Sequence, residues 1–360
     1  MNLDKFSDPG LAKGLLGKIE SLVRGDVALM EVCGTHTMAI ASSGIRNLLP
    51  KALKLLSGPG CPVCVTPTHE VDRAVAFSKL PDVILTTFGD MLRVTGSESS
   101  LEQSKAEGAE VRVVYSPRDA LTLAREHPDK SIIFVGVGFE TTSPTIAATV
   151  KEAREKGIIN FFVQPAFKLV PEALRAILEM GRVKLAGFLC PGHVSTIIGS
   201  RPYEFIPRDY GQPCVIAGFE PVDILEAVAM LLEQIRSGKP RVEIQYRRTV
   251  KPEGNPQAVA LMEEVFEPCD SEWRAIGMIP QTGLAFRKGY KAFDATKRFP
   301  VTLPAPVDPP GCLCGEVMMG IHAPRDCSLF GTGCTPAHPV GPCMVSSEGA
   351  CAAWYKYGER

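Results

Sequence analysis

Val27-Ala28-Leu29-Met30-Glu31-Val32-Cys33-Gly34-Thr35-His36-Thr37 begins as an apolar run, breaks into a polar turn with one glycine, and continues with helical spacing to about residue 49. A short apolar run bounded by a turn reads as a strand buried on both faces. Such strands belong to parallel sheets covered by helices. The pattern recurs along the chain. Strands are expected at 53–56, 83–87, 111–115, 132–137, 159–163, 185–189 and 215–217. Helices are expected at 11–24, 70–78, 170–181 and 221–235, and from Ser116-Pro117 and Ser143-Pro144 onward. Ser before Pro marks a helix start, the hydroxyl capping free amides and the ring presetting the first turn. Strands alternating with helices imply a parallel α/β sheet.

The grammar restarts at Ser131. Met30-Glu31-Val32-Cys33-Gly34-Thr35-His36-Thr37 and Val135-Gly136-Val137-Gly138-Phe139-Glu140-Thr141-Thr142 are both strand–loop–helix junctions. Pro59-Gly60-Cys61-Pro62 and Cys190-Pro191-Gly192-His193 are both Gly/Pro loops after strands. The fold class expected is α/β, with two similar parallel-sheet domains facing a cleft. Their loops sit at the carboxyl ends of the strands, where open α/β sheets bind ligands. Beyond Gly238 the pattern changes: a strand at 242–247, a helix at 257–266, then five prolines in 300–311 as an extended connector into a cysteine-rich tail.

With 360 residues the chain is long enough for two or three domains and needs no disulfide staples. Hydrophobic residues make up 45% and charged residues 22%, and 39 basic against 40 acidic residues leave a net charge of −1. That balance argues against nucleic-acid binding and against a polybasic membrane anchor. No apolar run reaches membrane-span length, and residues 1–5 show no apolar leader, so the chain reads as cytoplasmic. In a reducing compartment twelve cysteines point to metal or redox work rather than structural disulfides.

Six of them, Cys312, Cys314, Cys327, Cys334, Cys343 and Cys351, crowd the tail among glycines and prolines. An iron–sulfur cluster, [4Fe–4S], uses four such thiolates. Zinc usually shows paired knuckles with two to four residues between cysteines, and here only the tighter Cys312-Leu313-Cys314 is paired. Unligated core cysteines are the bland alternative, and spacing does not select four from six. Cys61-Pro62-Val63-Cys64 is a redox dithiol or half of a metal site on a stiff loop. Cys33 stands at a strand-to-helix turn, where the helix dipole and free amides favour a thiolate able to act as nucleophile or soft metal ligand. His36 lies three residues on. Glu140, Thr141, Thr142 and His193 offer a carboxylate, hydroxyls and an imidazole, or serve only as caps and turn formers. Gly136 and Gly138 lack the third glycine and lysine of a phosphate loop.

Together, CGTHT (33–37), GPGCPVC (58–64), GFETTSP (138–144), CPGHVSTIIG (190–199) and FGTGCTPAHPVGPCMVSSEGACAAWY (330–355) resemble the hydrogenase maturation protein HypD family over nearly the whole chain. The resemblance implies two α/β domains plus a third, C-terminal α+β domain bearing a [4Fe–4S] cluster. The domain plan then reads 1–25, a helix packing on the third domain; 26–128, with CGTHT and CPVC; 129–237, with GFETT and CPGH; and 238–360, the cluster domain. It implies a scaffold and redox protein, rather than a conventional turnover enzyme, that assembles the Fe(CN)2CO group of [NiFe] hydrogenases. A HypC-type chaperone and a HypE-type cyanide donor are the implied partners, with a monomer inside a hetero-complex. By the same resemblance Cys33 holds iron, Cys61 and Cys64 form a dithiol/disulfide within reach of the cluster and are candidate iron ligands, and His36, Glu140 and His193 belong to the cleft. The family pattern best fits Cys312, Cys327, Cys334 and Cys343 as cluster ligands, with Cys314 and Cys351 as neighbours. The rivals are a free-standing cluster-dependent thiol oxidoreductase, which has no need of Cys33, and a zinc-stabilised binding module.

Overall fold

The computed structural model describes residues 8–358. Its strands are β1 (Val27–Glu31), β2 (Leu53–Ser57), β3 (Val83–Thr87), β4 (Val111–Val113), β5 (Ser131–Gly138), β6 (Phe161–Phe167), β7 (Gly187–Pro191), β8 (Cys214–Ala217), β9 (Val242–Ile244), β10 (Phe266–Trp273) and β11 (Gly277–Phe286). One sheet has the order β2-β1-β7-β8-β9, a second β4-β3-β5-β6, and β10 pairs with β11 as an antiparallel hairpin. Every neighbouring pair in the first two sheets is parallel. The α/β expectation is met, with helices on sheets whose inner strands are buried almost throughout, as in β5.

The sheets do not divide at residue 128/129 as expected. The chain lays down β1 and β2, leaves to build the whole second sheet, and returns to the first for β7, β8 and β9. Residues 27–57 and 187–244 therefore share one sheet, and 83–167 form the other. Each local unit has the same strand–helix grammar, so the grammar cannot say which strands pair. Long-range burial does: Leu29, Leu53, Leu55, Leu189 and Val215 share one apolar cluster, while Ile84, Ile132, Phe134, Phe161 and Val163 share another. The CGTHT, CPVC and CPGH loops consequently rise from a single sheet, and GFETT from the other.

Both sheets reverse their order beside their first strand. From β1 the chain steps to β2 on one side, while β7 to β9 extend the other side; β3 and β5 stand in the same relation. Such a switch point leaves a crevice outside the carboxyl ends of the two strands. Cys33 follows β1 and Gly192-His193 follow β7; Asp90 follows β3 and Glu140 follows β5.

Two packing expectations are also corrected. The N-terminal helix Pro9–Leu22 packs on the helix Pro221–Ser237, with Ile19 and Leu22 among Ile224, Val228 and Leu232, rather than on the C-terminal region; the start of the expected 1–25 segment, residues 1–7, lies outside the described residues. The first sheet also continues past residue 238, because β9 pairs with β8 through Cys214 and Val242. The hairpin β10–β11 has no strong signal in the sequence, since Pro268 and Pro280 interrupt its strands. β6 runs on through Pro165, which an edge strand tolerates. Residues 301–309 have no regular structure, as an extended connector requires.

The tail carries short helices, Cys314–Met318, Pro342–Val345 and Ala350–Tyr357, the last packed on the helix Gly34–Ser42. A single apolar cluster joins Met30, Phe188 and Cys190 of the first sheet, Phe139 after the second, Trp273 of the hairpin, and Cys314 and Cys343 of the tail. No helix among the described residues is long and apolar enough to cross a membrane.

Candidate functional site

β1 delivers Cys33 to the N-cap of the helix Gly34–Ser42. Glu31, buried at the end of the same strand, accepts from the Cys33 backbone N–H at 3.2 Å and from the Thr37 hydroxyl at 2.6 Å. The GPGC loop after β2 lies directly against this turn. The Gly34 N–H donates to the Gly60 carbonyl at 2.9 Å, and a Cβ on Gly60 would overlap the Cys33 backbone nitrogen. On the other side Gly34 touches Glu348 of the tail so closely that a Cβ would overlap its side chain, and the Thr35 hydroxyl donates to Glu348 at 3.0 Å.

Burial reverses the thiolate expectation for Cys33. Desolvation pushes its thiol up to about 12, with Glu348 and Glu31 adding to the rise; the His36 and Thr35 amides pull the other way and lose. Burial likewise lifts Glu31 to about 7, against the opposing hydrogen bond from Thr37 and the charge of Arg46. Without a metal, Cys33 is a thiol, and a cation must take the place of its proton to make it a ligand.

His36 and His193 meet through Phe219, with ring centroids 5.0 Å and 3.9 Å from it. Both contacts of His36 Nε2 are carbonyl oxygens, of Ala217 at 3.2 Å and Gly218 at 3.0 Å, so Nε2 carries the proton. Burial lowers the His36 pKa to about 4 and leaves the ring neutral, with its Nδ1 buried and without a hydrogen-bond partner. Burial lowers His193 as well.

Cys61 caps the short helix Pro62–Val65 and is joined to Cys64 in a disulfide, with Cα atoms 5.3 Å apart. Cys64 Sγ lies 3.8 Å from the Pro342 carbonyl oxygen, immediately before Cys343. The Cys33 turn, the disulfide loop and the tail are thus in mutual contact. Glu140 stands elsewhere, at the switch point of the second sheet. Its Oε1 accepts from the Val170 N–H at 2.9 Å, while its Oε2 is buried without a partner. Burial raises it to about 7. It borders an apolar cavity of about 740 Å³ walled by Leu169, Pro171, Ile198, Met262 and Ile279.

In the tail, Cys312 Sγ and Cys314 Sγ both border Gly341, and the Cys314, Cys343 and Cys351 thiols lie near enough to act on one another. Cys327 Sγ contacts the carbonyl of Gly311, next to Cys312, at 3.7 Å, and Cys334 Sγ accepts from the Val340 N–H at 3.3 Å. Cys343 Sγ accepts from the Cys351 N–H at 3.2 Å. No group of three or more His, Cys, Asp or Glu among the described residues is arranged to hold a single metal ion. The tail nevertheless has the donor set of a cluster: many buried thiols close together, with backbone amides directed at sulfurs. Cys314 neighbours both Cys312 and Cys343, whereas the shown contacts of the Cys327 and Cys334 sulfurs are with Gly311 and Val340.

Glu31, Phe219 and Glu348 escape sequence reasoning. Glu31 has a signal, a lone charge inside an apolar strand. Glu348 has none, because it reaches Thr35 across 313 positions.

Residues 10–358 match the HypD family, described as the hydrogenase formation hypA family. The chain is 46% identical over 366 residues to the hydrogenase maturation factor HypD of Rhodobacter capsulatus, covering 98% of this chain and 97% of that protein. It is 46% identical over 367 residues to the hydrogenase expression/formation protein HupD of Azotobacter chroococcum mcd 1, covering 99% and 97%. To the hydrogenase maturation factor HypD of Escherichia coli (strain K12) it is 47% identical over 339 residues, covering 92% and 89%.

Proposed function

The chain belongs to the HypD family of hydrogenase maturation factors, and from that membership we propose that it is a cytoplasmic scaffold and redox protein on which the Fe(CN)2CO group is assembled. It works as a monomer within a complex containing a HypC-type chaperone and, transiently, a HypE-type cyanide donor. Iron is cargo, bound through Cys33, with Cys61 and Cys64 as further candidate ligands. The observation that carries this reading is the contact between the Cys33 turn and the Cys61–Cys64 loop at a switch point, with the tail against both.

The chemistry follows from these residues. Iron(II) bearing cyanide and CO takes a soft thiolate readily, and on binding it displaces the Cys33 proton. Glu31 and Gly60 fix the backbone that presents the sulfur. The two imidazoles across Phe219 belong to the segments after β1 and β7, at the same switch point as Cys33. Reducing the Cys61–Cys64 disulfide takes two electrons and two protons and yields two thiols. A [4Fe–4S] cluster held by four of the tail thiols, Cys312, Cys327, Cys334 and Cys343 on the family pattern, supplies electrons to that disulfide when bound.

The test is anaerobic co-purification with the chaperone, followed by infrared spectroscopy. Bands for bound cyanide and CO, absent from a Cys33→Ala chain, are expected. A Cys33→Ala chain that keeps full maturation activity would leave only a free-standing thiol oxidoreductase.

A further inference from the structure

Arg274 is the one residue between the strands of the hairpin whose charge is fully inside the protein: it is 4% exposed. Its backbone N–H donates to the Val65 carbonyl at 2.9 Å, at the end of the helix that carries Cys64. Its Nη2 donates to the Thr68 hydroxyl at 2.7 Å. Its Nε and Nη1 have no hydrogen-bond partner among the described residues. Asp308 pairs with Nε at 3.7 Å, too long for a hydrogen bond, and accepts from the same Thr68 hydroxyl, but its side chain is 57% exposed, so water screens this pair and the Nε and Nη1 N–H groups stay unused. A buried guanidinium with unused N–H groups is costly unless an anion answers it.

The chain beyond Arg274 leads to the cysteines of the tail. The next residue, Ala275, abuts Gly315 so closely that a Cβ on Gly315 would overlap it, and Gly315 adjoins Cys314. The residue that carries the buried cation is therefore tied to the disulfide helix through Val65, while its neighbour Ala275 packs on Gly315 beside Cys314.

We propose that Arg274 is a positioning and charge-balancing residue of the cysteine centre, supplying its unused N–H groups to an anionic, thiolate-held group and tying that group to the helix of Cys61 and Cys64. The inference rests on the reading that the tail holds a [4Fe–4S] cluster. Such a cluster with four thiolates is a dianion when oxidised and a trianion after accepting one electron. A buried cation stabilises the trianion more, so it raises the reduction potential.

The full chain, purified without air, is titrated with dithionite while the reduced cluster is followed by electron paramagnetic resonance, and iron and sulfide are measured in parallel. Arg274→Met is expected to make reduction about tenfold less favourable, a fall of about 59 mV for one electron. Arg274→Lys recovers most of that shift, and Thr68→Val moves the potential down by less. If Arg274→Met loses the cluster while Arg274→Lys keeps it, the charge requirement is equally supported. An unchanged potential and cluster content in Arg274→Met overturns the inference alone. Cluster loss in both Arg274 variants overturns it too, since a packing role then suffices. An unaltered chain without iron and sulfide removes the cluster reading and the inference together.

Discussion

At Cys33 burial holds the thiol protonated to about pH 12, although the Thr35 and His36 amides act on its sulfur. Cys33→Ala is therefore expected to abolish iron retention in the complex while mass spectrometry still finds the Cys61–Cys64 disulfide in the oxidised chain. Cys64→Ala should leave part of the iron on Cys33 and remove the disulfide. Equal iron loss in both, with no disulfide in the parent, would point to a site of three thiolates. Glu140 gives a pH signature. Burial raises it from 4.5 to about 7, so between those values the native chain keeps a proton that the unfolded chain has lost. Its stabilising contribution is complete below pH 4.5 and disappears as pH rises through about 7, a change of at most about 3 kcal/mol. Urea unfolding of Glu140→Gln against the parent should show the variant gaining relative stability from pH 5 to pH 8. A constant difference would mean that the carboxyl titrates normally.

The elements that matter most are the turns after β1 and β2. Their contact is backbone against backbone at Gly60 and Cys33, where no side chain can yield. Gly60→Ala should cost about 1–3 kcal/mol by overpacking and displace Cys33 from its loop. The expected readout is a chain that folds, with a lower urea midpoint, but binds iron poorly. Full iron binding would show that the two turns need not touch. Helix starts were legible here because their signals are local: Ser116 and Asp119 form the capping box that Ser-Pro announces. The hairpin was not, since its prolines weaken the strand pattern and its buried Trp273 is stabilised by Phe139, 134 positions away, with ring centroids 6.1 Å apart.

For the whole molecule, the tail is the piece that closes the site. Glu348 bonds Thr35, Ser346 bonds Asp90 at 2.8 Å, and Arg93 donates to the Pro336 carbonyl at 3.1 Å. Removing the proposed cluster should therefore loosen more than the tail. Hydrogen exchange on the iron-free chain should rise across 312–357 and in the helix Gly34–Ser42, while β5 stays protected. Uniform protection with and without iron would separate the tail's fold from the metal. The six tail cysteines, each changed to Ala, test the ligand set by iron content. Loss of the brown colour is expected for Cys312, Cys327, Cys334 and Cys343, and milder effects for Cys314 and Cys351. A colourless Cys351 variant beside an unaffected Cys312 variant would exchange those two roles.

Local chemistry determined the strand–loop–helix units, the Gly/Pro loops and the reactive residues they carry, because apolar runs, caps and turns depend on neighbours within a few positions. Pairing was decided elsewhere. That β1 lies beside β7, so that Cys33 and His193 rise from one switch point while Glu140 rises from another, depends on which buried faces fit together over more than 150 residues. The protonation of Cys33 and of Glu140 was decided there as well. Desolvation is set by everything packed around a group, and no spacing within the chain records it.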